Sequence, residues 1–341
     1  MKNKKNQSYL PEKNTNYYIF SPIMILKIYK SNVSLAILLI PLFAIILSIP
    51  ILTTQIDLNS YYFNWENVLF NSIHQLKILN FILTFSFLIL NTAILNQVFS
   101  ITHFFSKITY VPALFYLVLM SFIDVINFEP YLIIHTLLSA LIYLLMRLEQ
   151  NETAIHLGFK SALIVGILAC FSLYYAFIIF TLFMALFTIK SFNWREWFVI
   201  LLGGIIPIIY LFSFQYIFND ELFFGLFKAS FKFQNQIQLI NYIQIGSGLL
   251  ILLLSFKGLL SFYSRNTSIN KKRLFILFGL TTSSFVVTLI AFYFFSYLDF
   301  GFILPLSILL SISSVNNESD NLLNLLLTIT LIVNIVALYM T

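Results

Sequence analysis

The 341 residues include 60% hydrophobic and only 9% charged side chains, with a mean hydropathy of +0.92. A soluble domain carries about 25% charged residues, so a soluble fold of this composition would have no polar coat. The net charge of +6 is spread between apolar runs, where basic residues meet lipid headgroups and fix orientation, and this argues against a nucleic-acid partner.

In chain order, residues 1–31 are largely polar and contain lysines. They read as a cytoplasmic or interfacial N-terminal segment, with Pro22–Lys30 lying in the inner interface. Residues 32–341 read as one multipass transmembrane domain, an all-α polytopic helix bundle. Apolar runs fall at Val33–Leu52, Ile78–Val98, Tyr110–Ile126, Tyr131–Met146, Phe159–Ile189, Trp197–Ile217, Ile237–Leu254, Leu274–Tyr297, Phe302–Val315 and Leu322–Met340. The first run is longer than the apolar part of a signal peptide and reads as an uncleaved helix.

The run Phe159–Ile189 is too long for one ordinary span and short for two. Charge decides between them. If it turns near Ser172–Tyr175 with the N-terminus inside, only Lys77, Lys228 and Lys232 of the 19 lysines and arginines lie outside. If it is one span, every later loop inverts and the outside also gains Lys190, Arg195, Lys257, Arg265, Lys271, Lys272 and Arg273 while losing Lys228 and Lys232. The positive-inside rule favours the turn, which gives about eleven crossings in a bacterial inner membrane, N-terminus cytoplasmic.

Trp65, Trp194 and Trp197 fall at expected interfaces. Phe223, Phe224, Phe227 and Phe231 follow helical spacing, with Lys228 and Lys232 one turn apart, as in a short helix lying in the outer interface. Gly203-Gly204 followed by Pro207 is expected to bend its helix.

The outer side collects Asp57, Glu66, Asp124, Glu129, Asp220, Glu221 and Asp299. Positive-inside asymmetry alone leaves acids there, and solvated loop carboxylates are the plainer reading. Asp124 and His135 flank the tight turn Phe128-Glu129-Pro130 and come to similar depth in a helical hairpin. Ionisable groups inside a span are functional candidates, and a carboxylate could orient the imidazole. A structural hydrogen bond pinning the hairpin is the plainer alternative. His74 and His135 belong to the outer side, His103 and His156 to the inner. One metal cannot gather all four, so no metal and no cofactor is assigned. Asn91, Asn96 and Gln97 share one span and read as interhelical glue. Cys170 is the only cysteine and reads as inert packing. No nucleotide loop, HExxH, CxxC or nucleophile elbow is present.

Ser106-Lys107-Ile108-Thr109-Tyr110-Val111-Pro112-Ala113-Leu114-Phe115-Tyr116 and Phe192-Asn193-Trp194-Arg195-Glu196-Trp197, with Asn96 upstream, resemble an uncharacterised family of multipass membrane proteins of Bacteroidota. That likeness supplies no site. Some members have been labelled carotenoid-cleaving oxygenases, a label the separated histidines do not fit. Gly158, Gly166 and Ser172-Leu173-Tyr174-Tyr175 loosely resemble polytopic glycosyltransferases that use lipid-phosphate sugars. This likeness implies a catalytic carboxylate in the first external loop, where Asp57 and Glu66 stand, with Lys228 and Lys232 meeting a lipid phosphate. The loop is short, the usual acidic pair is missing and no arginine lies outside.

Three classes of function follow: an outward-facing enzyme on a lipid-linked substrate, a transporter or lipid-handling protein, and a non-catalytic subunit of an envelope complex. Expected partners are membrane lipids, a lipid-linked substrate or other envelope proteins.

Overall fold

In hydrocarbon no water satisfies the peptide groups, so each apolar run must bond its own backbone as a helix. The computed structural model describes residues 25–31, 33–53, 64–101, 109–123, 126–148, 154–189, 194–219, 239–295, 300–316 and 321–340. All regular structure among them is helical.

The helices are α1 (Ile25–Ser31), α2 (Val33–Ser48), α3 (Pro50–Thr53), α4 (Asn64–Gln75), α5 (Lys77–Ile101), α6 (Val111–Met120) and α7 (Pro130–Arg147). They continue with α8 (Ala154–Phe171), a 3₁₀ turn at Leu173–Phe177, α9 (Ile178–Ile189), α10 (Trp194–Asn219), α11 (Leu239–Arg265), α12 (Ser268–Phe295), α13 (Ile303–Asn316) and α14 (Asn321–Met340). Among the described residues, 7 helices are long and apolar enough to cross a membrane: Ser34–Thr53, Lys77–Ser100, Pro130–Arg147, Trp194–Phe214, Gly246–Arg265, Ser268–Tyr293 and Leu322–Tyr339. Val111–Met120, Ile155–Phe171, Leu173–Ile189 and Ile303–Val315 are apolar but shorter. The chain is therefore built as a membrane-embedded helical protein.

Two of the short helices form the centre. α6 and α13 pack on each other, and α5, α7, α11, α12 and α14 pack around them. Nine α6 residues from Val111 to Met120, all but Leu119, are buried. On α13, Ser307, Ser311, Ser313 and Ser314 are buried as well. Their hydroxyls cause no conflict, because Ser307, Ser311 and Ser314 donate back to the carbonyls of Leu304, Ile308 and Ser311. α7 is 61% buried along its span and α10 only 17%, which puts α7 inside and α10 at the rim. The rim presents Phe198, Ile209, Tyr210, Leu253, Phe278 and Ile332 outward. In water that surface would aggregate; in lipid it is solvated.

The long apolar run breaks at Ser172, which is extended (φ −152°, ψ 123°). Contacts with α10 give the directions. A Cβ on Gly158 would lie 3.4 Å from Ile200, and one on Gly203 would lie 3.0 Å from Ala162. Gly166 faces Gly204 and Pro207. The numbers rise together, so α8 and α10 run parallel. From α9, Ile179 meets Gly204 while Phe183 stacks on Trp197 with ring centroids 4.6 Å apart. Here the numbers run oppositely, so α9 is antiparallel to α10 and hence to α8. The chain reverses at the break, as the charge pattern expects.

Other elements depart from expectation. The run Tyr110–Ile126 is helical only to Met120, since Ser121 follows as the C-cap and the backbone from 126 to 129 is irregular. α11 continues past Leu254 through Lys257 to Arg265, because an apolar run marks the hydrocarbon and a helix need not end there. α10 stays one helix through Pro207, and its glycines admit α8. α1 does not simply lie on a surface. Its Leu26 and Tyr29 are buried, the Leu26 amide donates to Asn324 Oδ1 at 3.0 Å, and the Tyr110 amide donates to the Tyr29 carbonyl at 3.0 Å. The expected outer helix around Phe223–Lys232 lies outside the described residues.

Candidate functional site

Three stretches that are not α-helical come together at one end of the bundle: residues 126–129, the break at Ser172 with its 3₁₀ turn, and residues 300–302. Irregular backbone at membrane depth is tolerated only where protein groups or a water-filled cavity satisfy it. Side chains do so here. Asn80 of α5 accepts the Phe128 amide on Oδ1 at 2.8 Å and donates to Asn127 Oδ1 at 3.3 Å. His74 of α4 donates from Nε2 to the Phe128 carbonyl at 3.0 Å. Both backbone groups of Phe128 are thus held by side chains from distant elements.

The second half of the site is a chain of hydrogen bonds through α5, α6 and α7. Asn91 Nδ2 donates to Tyr116 Oη at 3.2 Å and to the Leu132 carbonyl at 3.1 Å. Thr136 donates to Asn91 Oδ1 at 2.7 Å. His135 Nε2 lies 3.0 Å from the Phe300 carbonyl. A carbonyl only accepts, so Nε2 carries the proton. Nδ1 then accepts from the Tyr116 hydroxyl at 2.9 Å. These partners assign a neutral imidazole in one tautomer. Rings close the array: Tyr131 meets Phe300 edge-on at 5.8 Å, and Tyr116 meets His135 at 5.4 Å. At Gly301 any side chain would collide with the Tyr175 hydroxyl, so only glycine fits.

His74 lies outside the spanning helices. Burial holds its pKa below the usual imidazole range, and the bond to the Phe128 carbonyl works in the opposite direction. It too is kept neutral, as a donor to backbone.

His135 therefore sits at the centre of this end of the bundle, its ring nitrogens facing Tyr116 and Phe300. Asp124, Asp57, Lys228 and Lys232 lie outside the described residues. Glu66 belongs to α4, and its side chain is outside the described set. His74 and His135 do share one end of the bundle. His156 opens α8 at the opposite end, about 24 Å along the axis from Ser172. Among the described residues no three His, Cys, Asp or Glu side chains are grouped to hold a metal ion. Cys170 donates to the Gly166 carbonyl at 3.3 Å.

The sequence reading missed Asn80, Tyr116 and Thr136, since an isolated Asn, Tyr or Thr inside an apolar run carries no signal of its partner. It also missed the spacing Gly158-Ala162-Gly166, a small residue every fourth position, which is legible as a helix-packing face. No family model, curated protein or solved structure matches the chain.

Proposed function

We propose that the chain crosses a bacterial cytoplasmic membrane eleven times, N-terminus inside, and acts at its outer face as a glycosyltransferase-like enzyme on a lipid-linked substrate. Seven long apolar helices and four shorter ones are compatible with that count, and the reversal at Ser172 supports a topology with most basic residues on the inner side. In this reading the chain is akin to the Bacteroidota family it resembles.

The observation that carries the enzyme reading is the docking of α4. Phe70 of α4 is fully buried, with its ring 5.6 Å from Phe128, and His74 bonds the Phe128 carbonyl. Glu66 occupies the position one helical turn before Phe70. The helix that bears this carboxylate is thus fixed to the end where helices break off and non-helical backbone gathers. Such broken helices are where membrane proteins commonly build binding sites. In the proposed reaction Glu66 or Asp57 removes the proton of an acceptor hydroxyl. The hydroxyl oxygen bonds to the sugar carbon, the carbon–phosphate oxygen bond breaks, and the lipid phosphate leaves toward Lys228 and Lys232.

The test compares lipid-linked sugars, by mass spectrometry of membrane extracts, in cells lacking the protein and in cells complemented with wild type, Glu66→Gln or Asp57→Asn. Accumulation of a lipid-phosphate sugar that wild type relieves and at least one variant does not is the expected result. An unchanged lipid profile in the deletion strain would overturn the enzyme reading.

A further inference from the structure

A trough of about 430 Å³ runs between α9 and α12, within the range of small-ligand sites. From α9 it is lined by Phe180, Thr181 and Met184, and from α12 by Phe275, Gly279 and Thr282. Its hydroxyls are already satisfied. Thr181 donates to Ser283 Oγ at 2.9 Å, Ser283 to the Leu280 carbonyl at 3.1 Å, and Thr282 to the Gly279 carbonyl at 3.0 Å. An occupant therefore finds no free hydroxyl donor and meets an almost wholly apolar wall along this stretch. Phe180, Met184 and Phe278 stand exposed, at 60%, 51% and 54%, on the outward face of the bundle. Gly279 keeps the floor low, since a Cβ there would already be 3.3 Å from Thr181 Cγ2.

The α12 stripe that lines the trough, Phe275 to Val286, is about 16 Å long. Carried toward the N-terminus of α12, the same stripe reaches Lys271 and Lys272, which lie four and three residues before Phe275. Lys271 stands over the Tyr263 ring at 5.2 Å. Arg273 follows but is buried. A long apolar trough thus ends at a pair of lysines, one of them backed by an aromatic ring.

We propose that this trough binds one acyl chain of an anionic phospholipid, with its phosphate at Lys271 and Lys272. The apolar floor specifies the chain, and the lysines specify the charge. Basic residues at a helix end attract anionic headgroups. The proposal does not rest on the enzyme reading: it invokes none of Asp57, Glu66, Lys228 and Lys232.

The experiment uses the full-length protein in nanodiscs containing equal phosphatidylglycerol and phosphatidylcholine, released into detergent and weighed by native mass spectrometry. Wild type is expected to retain one phosphatidylglycerol in preference to phosphatidylcholine. Lys271→Ala and Lys272→Ala should each lower that preference about fivefold. Thr282→Phe, which fills the trough from its open side, should reduce retention of both lipids. Glycerol phosphate, the soluble headgroup, should not displace the bound lipid, because it lacks the chain. Equal retention of the two lipids by wild type would overturn the proposal, as would a preference unchanged in both lysine variants or displacement by glycerol phosphate alone.

Discussion

At the scale of single residues, buried polar side chains in this protein either satisfy irregular backbone, as Asn80 and His74 do at Phe128, or tie helices together, as Asn91 does. Asn91 uses both amide N–H groups, on Tyr116 and Leu132, and accepts from Thr136 on Oδ1. Asn91→Leu should destabilise the fold by about 1–2 kcal/mol, read from its unfolding midpoint in a denaturing-detergent titration. The same titration on Tyr116→Phe and on the double variant should give a coupling of about 0.6–1.7 kcal/mol; strict additivity would show that the two groups do not interact. Gly301 offers a sharper case. A Cβ there would collide with the hydroxyl of Tyr175, a fully buried ring. Gly301→Ala should lower stability, and adding Tyr175→Phe should restore part of it, because the colliding oxygen is gone.

At the scale of elements, contact between helices is set by where the backbone can approach. A Cβ on Gly166 would strike the Gly204 carbonyl, a backbone atom that cannot move aside. Gly166→Ala should cost about 1–3 kcal/mol through overpacking. Gly246 on α11 has nothing within 4 Å of its Cβ position, so Gly246→Ala should be neutral or gain up to about 1 kcal/mol in helix propensity. Both are read in the same titration, and equal effects at the two sites would refute the packing argument. His74 ties α4 to the Phe128 carbonyl from a buried position that disfavours its charged form. Its folded pKa is depressed below the unfolded value of about 6.5. The unfolded state therefore binds the proton more readily, and stability falls as the pH drops below about 6.5. Thermal midpoints taken from pH 7.5 to 5 should decline for wild type. They should decline less for His74→Gln, whose amide still donates to the Phe128 carbonyl but does not titrate.

At the scale of the whole molecule, the prediction is orientation. With Cys170 replaced and single cysteines at positions 57, 193, 228 and 268, a membrane-impermeant thiol reagent on intact cells should label 57 and 228 only. Positions 193 and 268 should label after the inner side is opened. Labelling of 193 from outside would mean that the run Phe159–Ile189 crosses once, and it would remove Lys228 and Lys232 from the outer face. The parallel course of α8 and α10, read from Gly158, Gly166 and Gly203, makes the opposite demand. Two helices separated by one full return pass must point the same way.

The sequence alone determined the medium and the class of fold. An apolar run of about 20 residues has one low-energy form in lipid, and that form is local, so composition and length suffice to read it. Charge also favoured a reversal within Phe159–Ile189, near Ser172–Tyr175, over a single pass, because the orientation of each later loop follows from it. Tertiary structure decided what no local rule reaches. That the backbone of Phe128 is satisfied outside a helix depends on Asn80 and His74, 48 and 54 residues away. That His135 donates from Nε2 depends on the Phe300 carbonyl, 165 residues along the chain. The glycines of α10 also form a contact surface for α8, because only the partner helix shows what the missing side chains make room for.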